Sequence, residues 1–326
     1  MGNKKKSKLS TFIRIIIVIP VFLLSLVALI VINGNIFKFV VYSDFYKLNK
    51  DTINIPGLNS GAIQQGITYF DNNYICSTYM SNNKDASRIY IANNKTSTYV
   101  ELYEDDEFNI PSLTHTGGIT YEKYTDSFYV ASEGEGLYQI PYQTLLNNKK
   151  VSLKNTNIKV HNHSSYVFSD DNYLYVGEFN KDKSEYLAEH EISYNSETHK
   201  AIVCCYKIDS ANKSIDFSKP AKVFSIIDLV QGLAIKDNYL YLSTSWGIKS
   251  SSIYKYDLSK QVKIDDYLGA DTYFISKYDK KLKCPPMIED LDIDDKGRII
   301  TYSEAGSNKY IFGKLFFMNK VYSINL

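Results

Sequence analysis

Five times along this chain a short apolar segment runs into an Asp/Asn/Gly turn and leaves it as a second apolar segment. The first is Gln65-Gly66-Ile67-Thr68-Tyr69 before Asp71-Asn72-Asn73-Tyr74-Ile75-Cys76. The same pattern recurs at 117–121 before 127–132, at 164–168 before 171–176, at 231–235 before 237–242, and at 289–293 before 295–300. Strand, tight turn, strand is the signature of a β-hairpin. The equivalent positions 66, 118, 165, 232 and 290 lie 47 to 67 residues apart. A recurrence at that period constrains the fold more than any other feature here, because such units bury their apolar faces only by stacking on one another.

Each hairpin is followed by a third strand candidate, at 88–91, 136–140, 201–208, 252–256 and 320–324. Several have a fourth, at 98–103, 222–226 and 262–267. Four antiparallel strands per unit of about 50 residues is the pattern of a β-propeller blade. The units begin Gly-Ile or Gly-Leu and continue Leu-Tyr-Val. In this they resemble the broad superfamily of propellers with NHL-, YWTD- or gluconolactonase-type blades. The expected fold is all-β: a five-bladed β-propeller, or a six-bladed one if the long stretch from 232 to 290 hides a short extra blade. A β-sandwich is the structural alternative. The last unit stops at its third strand, and Asp51-Thr52-Ile53-Asn54-Ile55 is placed to supply its missing outer strand, which would close the ring and remove its open edges.

Ahead of the repeats lies a segment of another kind. Residues 1–14 carry Lys4, Lys5, Lys6, Lys8 and Arg14 and no acid, and an apolar run over 15–32 follows, interrupted only by Pro20 and Ser25. Eighteen residues of helix span about 27 Å, close to the hydrocarbon thickness of a bilayer, and the run has no polar face of the kind a core helix shows. The expected organisation is a cytoplasmic basic arm (1–14), a transmembrane signal anchor (15–32), a linker (33–50) and an extracytoplasmic propeller (51–326). The positive-inside rule sets that single-pass orientation in the cell membrane. A cleaved signal peptide is the rival, but the run exceeds a usual signal core and Val31-Ile32-Asn33-Gly34-Asn35 is a poor cleavage site.

The arm holds five of the chain's 37 Lys and Arg, so the rest carries a mild excess of its 36 Asp and Glu. That balance gives no footprint for nucleic acid. The 29 tyrosines suit half-buried pleated surfaces. Four cysteines do not make a disulfide framework. Cys76 reads as a small strand hydrophobe, and Cys284 as a loop residue before Pro285-Pro286. Of Cys204 and Cys205, adjacent in a strand, one is expected to be buried and one exposed.

Propeller geometry sorts the polar residues by face. The approach to each first strand and the exit from each second strand open on the same side. On that side lie Gln64, Gln65, His115, Thr116, His161, His163, Gln231, Glu289 and Asp290, and on the exits Tyr79, Glu133, Glu178, Trp246 and Glu304. The expected ligand-binding mouth is Gln65, His115, His163, Gln231, Glu289, Glu133, Glu178, Trp246 and Glu304. Within it His115, His163, Glu289 and Glu304 are the candidate ligands of a divalent metal that could activate water. A carboxylate pair acting on a sugar is a further option. The 180–200 connection, long and rich in Glu and Tyr, is either a lid or an insertion with no such role. Asp292-x-Asp294-Asp295-x-Gly297 resembles a calcium loop but lacks the final Glu in register, so it reads as a hairpin turn. No phosphate loop or nucleophile elbow is present. Asn94-Lys95-Thr96 matches a glycosylation acceptor. Two functions compete: a binding module for a protein, peptide, glycan or small molecule at the cell surface, and a metal-assisted hydrolase, lactonase or lyase.

Overall fold

A computed structural model describes residues 2–132, 134–181 and 190–326 of the chain, which folds as a β-propeller behind an N-terminal helix. Among the described residues five sheets have four or more strands. The first runs β2 (Ala62–Phe70), β3 (Asn73–Met80), β4 (Arg88–Ala92) and β5 (Ser97–Tyr103), with β9 (Lys150–Ser152) added parallel to β5. The second runs β6 (Ile119–Glu122), β7 (Ser127–Ala131), β8 (Gly134–Pro141) and β10 (Asn157–Ser164). The third runs β11 (Tyr166–Ser169), β12 (Tyr173–Gly177), β15 (Ala201–Asp209) and β17 (Lys222–Ile226). The fourth runs β18 (Val230–Lys236), β19 (Tyr239–Thr244), β20 (Ser251–Asp257) and β23 (Lys280–Cys284). The fifth runs β24 (Asp292–Ile293), β25 (Ile299–Thr301), β26 (Lys320–Ile324) and β1 (Asn49–Asn54). The innermost strands pack in the order β2, β6, β11, β18, β24 and back to β2. That closed circuit excludes the β-sandwich.

The turns are those the sequence specifies. Asp71-Asn72 and Asp237-Asn238 each link paired strands through two residues with positive φ, 48° and 60° in the first and 50° and 63° in the second. Asn and Asp tolerate that backbone, and its twist matches that of the strands it joins. The acidic stretch at 292–297 is also a turn. The Asp294 carboxylate accepts from the Lys296 and Arg298 amides, pairs with the Arg298 guanidinium at 2.8 Å, and accepts from the Ser323 hydroxyl.

Three expectations are corrected. Val262–Tyr267 (β21) is not the outer strand of the fourth sheet. It forms a hairpin with β22 (Ala270–Phe274), which pairs parallel to β17 on the third sheet, while β23 takes the edge of β20. Phe274 and Ala270 bury themselves there beside Tyr206 and Val223, so the surplus residues of the long fourth unit extend a neighbouring sheet. Cys204 and Cys205 are both buried, because β15 is a middle strand packed on both faces. Cys284 is also buried, at the end of β23; all four cysteines are free. In the 180–200 connection, residues 182–189 lie outside the described residues. The rest forms a small hairpin, β13 (Ile192–Tyr194) with β14 (Glu197–His199). It leans on β22, where His199 stacks on Phe274 at 4.0 Å; β16 (Ser214–Ile215) pairs with the end of β15.

The N-terminal segment departs most from expectation. Helix α1 (Gly2–Val41) runs far past Ile32, and α2 (Ser43–Leu48) leads directly into β1. The predicted linker at 33–50 is therefore helical and docked. The Asn35 side chain donates to the Lys314 carbonyl at 2.9 Å and accepts from the Phe317 amide at 3.0 Å, and Lys38 donates to the Phe317 carbonyl. Gly34 is required here, since a Cβ would stand 2.5 Å from the Leu315 carbonyl oxygen. Further along, Tyr42 and Phe45 are buried, Phe45 packing edge-on to Tyr322 at 5.2 Å. Apolar residues at 36, 37 and 39–41 continue the helix with no breaker to stop it. β1 then pairs antiparallel with β26 from Asn49↔Ile324 to Asn54↔Lys320, as expected for ring closure.

Candidate functional site

Two of the five first strands start with a β-bulge, and the extra residue in each is a glutamine. In β2 the register passes from Gln64↔Thr78 to Gly66↔Ser77, leaving Gln65 unpaired; in β18 it passes from Val230↔Thr244 to Gly232↔Ser243, leaving Gln231 unpaired. A bulge re-aims the side chain it frees, and both glutamines line a common cavity. The glycine after each is compelled by crowding at the ring's centre. A Cβ on Gly66 would stand 2.5 Å from the Ile119 amide nitrogen, and one on Gly232 would stand 2.5 Å from Cα of Asp290.

Beneath them Asp290 is fully buried at the axis. Its carboxylate accepts from the amides of Ile67 in β2 and Ile119 in β6, at 3.3 and 3.4 Å, and lies against Gly118 and Gly232. One side chain thereby touches the first strands of several sheets. Burial holds its pKa well above the ordinary carboxylate range, with the amide bonds acting in the opposite direction. Hydroxyls bind neighbouring sheets to one another around this point. Ser77 donates to the Gly117 carbonyl, Ser243 to the Glu289 carbonyl at 2.7 Å, and Tyr302 to the Gly66 carbonyl at 2.6 Å.

Above this plug the mouth holds a cavity of about 990 Å³. Its lining includes Gln65, His115, His163, Gln231, Glu289, Trp246 and Glu304, seven of the nine residues the sequence nominated. Glu304 forms the centre of one wall. It is buried, accepts from the Gln65 amide, and has a pKa pushed up to about 7 by burial. His115, the Tyr310 hydroxyl, Lys309 and Gln65 hold it down. His115 stands edge-on to Tyr79 at 4.0 Å, and Lys309 donates to the Tyr79 hydroxyl at 2.7 Å. Burial, then the nearby Glu304 charge, raises the pKa of Tyr310. On the opposite wall Trp246 stacks on Phe179 at 5.9 Å, and Lys181 lies 3.7 Å above the indole.

Two nominated residues are not in this group. Glu178 is turned inward: its carboxylate accepts from the Ile202 amide at 2.8 Å, completing the ladder between β12 and β15, and lies 3.6 Å from His190. Glu133 lies outside the described residues. His161 also stays off the lining, with Nδ1 3.2 Å from the Tyr206 hydroxyl. Among the described residues no three His, Cys, Asp or Glu side chains form a group able to hold a metal ion. His115, His163, Glu289 and Glu304 share the cavity, but Glu304 is occupied by Gln65 and Tyr310 while His163 stands exposed on another strand, β10.

Residue-level reading missed the segment between β25 and β26. It contributes Lys309, Tyr310, Ile311, Phe312 and Gly313 to the lining, and Leu113 and Ile248 add further apolar surface from other sheets. The available signal was an apolar pair, Ile311-Phe312, directly after a Lys-Tyr pair in the gap between two strands of the last unit.

No protein-family model matches the chain, and no curated protein matches it. Solved structures similar to it are β-propellers. The WD40 propeller domain of Doa1 is 12% identical with a TM-score of 0.44, covering 84% of this chain and 97% of that one. An aldose sugar dehydrogenase from Streptomyces coelicolor, solved with PQQ bound, is 11% identical with a TM-score of 0.44, covering 85% and 97%. A glucose-dehydrogenase-like oxidoreductase from Thermus thermophilus is 8% identical with a TM-score of 0.44, covering 85% and 99%. These similarities extend to the fold alone.

Proposed function

We propose that this chain is a five-bladed propeller held at the outer surface of the cell membrane by α1, and that its mouth cavity binds a ligand. The observation that carries the reading is the cavity itself. Polar groups from several sheets converge on its floor, and an indole and other apolar side chains surround its opening. Pockets with that mixture of apolar walls and a few placed polar groups are typical ligand sites. The tether rests on the apolar stretch Ile16–Val41, whose most apolar 18-residue window has mean hydropathy 3.0 and no buried residue. The basic arm puts the N-terminus in the cytoplasm and the propeller outside. Retention of the helix is supported by its docking through Asn35 and Lys38, which makes residues beyond Ile32 part of the folded body.

Trp246 is the chain's sole tryptophan and lines the site, so its emission reports occupancy. Glycans, peptides and amphiphiles titrated into the detergent-solubilised full chain should include one class that shifts this emission saturably. The pair of changes His163→Ala and Gln231→Ala should weaken that response at least tenfold without altering thermal unfolding. A ligand that binds the chain yet leaves both the emission and its own affinity unchanged in this variant would place the binding site elsewhere.

A further inference from the structure

The direction in which α1 leaves the ring is fixed by its contacts. Second-to-third-strand connections open on the mouth face, so β26 starts there at Lys320 and runs to the opposite face at Ile324. Near that far end Phe45 packs on Tyr322, and the Asn325 amide donates to the Leu48 carbonyl at 3.3 Å. At the mouth end Gly34, Asn35 and Lys38 meet Lys314, Leu315 and Phe317, just ahead of β26. Falling residue number along the helix is therefore travel towards the mouth, and the apolar residues from Ile32 back to Ile16 project beyond it. Ile32 is two residues from the docked Gly34, about 3 Å of helix rise. A bilayer holding that stretch lies on the mouth side of the ring.

The rim has the matching chemistry. Ile311 and Phe312 are 77% and 70% exposed, on the same segment that grips α1, and Leu113, Ile248 and Trp246 expose further apolar surface around the opening. Large contiguous apolar surface around a cavity marks an interaction site, and Trp is favoured at the membrane interface. The floor is polar but not rich in cations: among the described lining residues Lys309 is the one Lys or Arg, set beside Glu304, and Lys181 lies over the Trp246 indole. Gln65, Gln231, His115 and Glu289 are partners for hydroxyls.

We propose that the mouth faces the bilayer with its apolar rim in the interface, and that the cavity takes the neutral, hydroxyl-rich head of a lipid in the facing leaflet. This rests on the tethered-propeller reading above. A lipid in that leaflet points its head at the propeller, so the head reaches the polar floor while the start of its chains meets Ile311, Phe312 and Ile248.

The test uses the full chain in phosphatidylcholine vesicles doped with lipid carrying a quenching doxyl label at carbon 5 or carbon 12. Trp246 emission should fall at least twofold, more with the shallow label. The pair Ile311→Asp and Phe312→Asp, at largely exposed positions where the circular dichroism should stay unchanged, should at least halve the quenching. Unquenched Trp246 in vesicles from which alkaline carbonate cannot extract the chain overturns the inference and leaves the tether standing. Ready extraction overturns both. For the cavity, native mass spectrometry compares a monoglycosyl diacylglycerol with the diacylglycerol of the same chains. The glycosylated lipid should form a one-to-one adduct at least fivefold more abundant, lost in His163→Trp. Equal adducts, or adducts indifferent to that change, overturn the head-binding claim, as would a protein partner found capping the rim in place of lipid.

Discussion

At the residue scale the site divides into positions a sequence can announce and positions it cannot. Gln65 and Gln231 were legible because each precedes a glycine at the start of a repeat unit, and the same bulge frees both. Glu178 occupies an equivalent exit position but turns away, because the Ile202 amide needs its carboxylate; no spacing rule encodes that need. Glu304 stands on the cavity lining as its position in the repeat suggests, yet its state is set by burial that only the fold supplies. A carboxyl whose folded pKa lies above its unfolded one favours folding fully below its unfolded value, and that contribution is lost as pH rises through the folded value. For Glu304 the window runs from its ordinary 4.5 to about 7, a difference worth roughly 3 kcal/mol. Asp292, pushed up to about 6 mainly by burial, acts in the same direction over the lower part of that window. Wild-type stability should therefore fall between pH 5 and pH 8. Glu304→Gln, which keeps an acceptor for Gln65, should flatten the upper part of the fall. Urea midpoints at the two pH values check this, and parallel curves for the two proteins would contradict it.

At the element scale the hairpins were readable because their turn chemistry and alternating apolar residues are local. The errors arose where pairing is decided by distant partners. β21 has the length and composition of an outer strand, but β23 takes the edge of β20, and β22 pairs with the open edge of β17 on the neighbouring sheet. The helix end failed for a related reason. The apolar run ends at Ile32, whereas in the fold the helix continues, Asn35 bonds the 314–317 segment and Gly34 permits the close approach. This joint makes a specific prediction. The Phe317 amide is held by Asn35 Oδ1 at 3.0 Å, so Asn35→Ala should speed its hydrogen exchange about tenfold, the equivalent of one hydrogen bond of roughly 1.4 kcal/mol. Exchange at Ile91, within the first sheet, should stay as it was. Unaltered exchange at Phe317 would mean that α1 is not held against the mouth segment through this residue.

At the scale of the whole molecule, the ring is completed by a strand from one end of the chain pairing with a strand from the other. β1 and β26 are some 270 residues apart, so their pairing brings a large loop-closure cost that only the completed ring offsets. Ile53 in β1 is 5% exposed and shares a core cluster with Tyr302, Val321, Ile67 and Cys76, and so touches both the last sheet and the first. Ile53→Ala should cost about 2–4 kcal/mol, as for a buried aliphatic side chain cut to alanine. The loss should be global rather than local fraying, because once β1 is released the β26 edge and the α2 packing are uncovered together. Urea unfolding followed by circular dichroism and by Trp246 emission, which sits after β19 in a different sheet, should then shift to a lower midpoint with the two probes still coincident. A separate early transition seen by one probe would make the closing strand an appendage to a ring already stable without it. The same outcome would loosen the link from α1 through α2 and β1 to the mouth, on which the orientation of the cavity towards the bilayer depends.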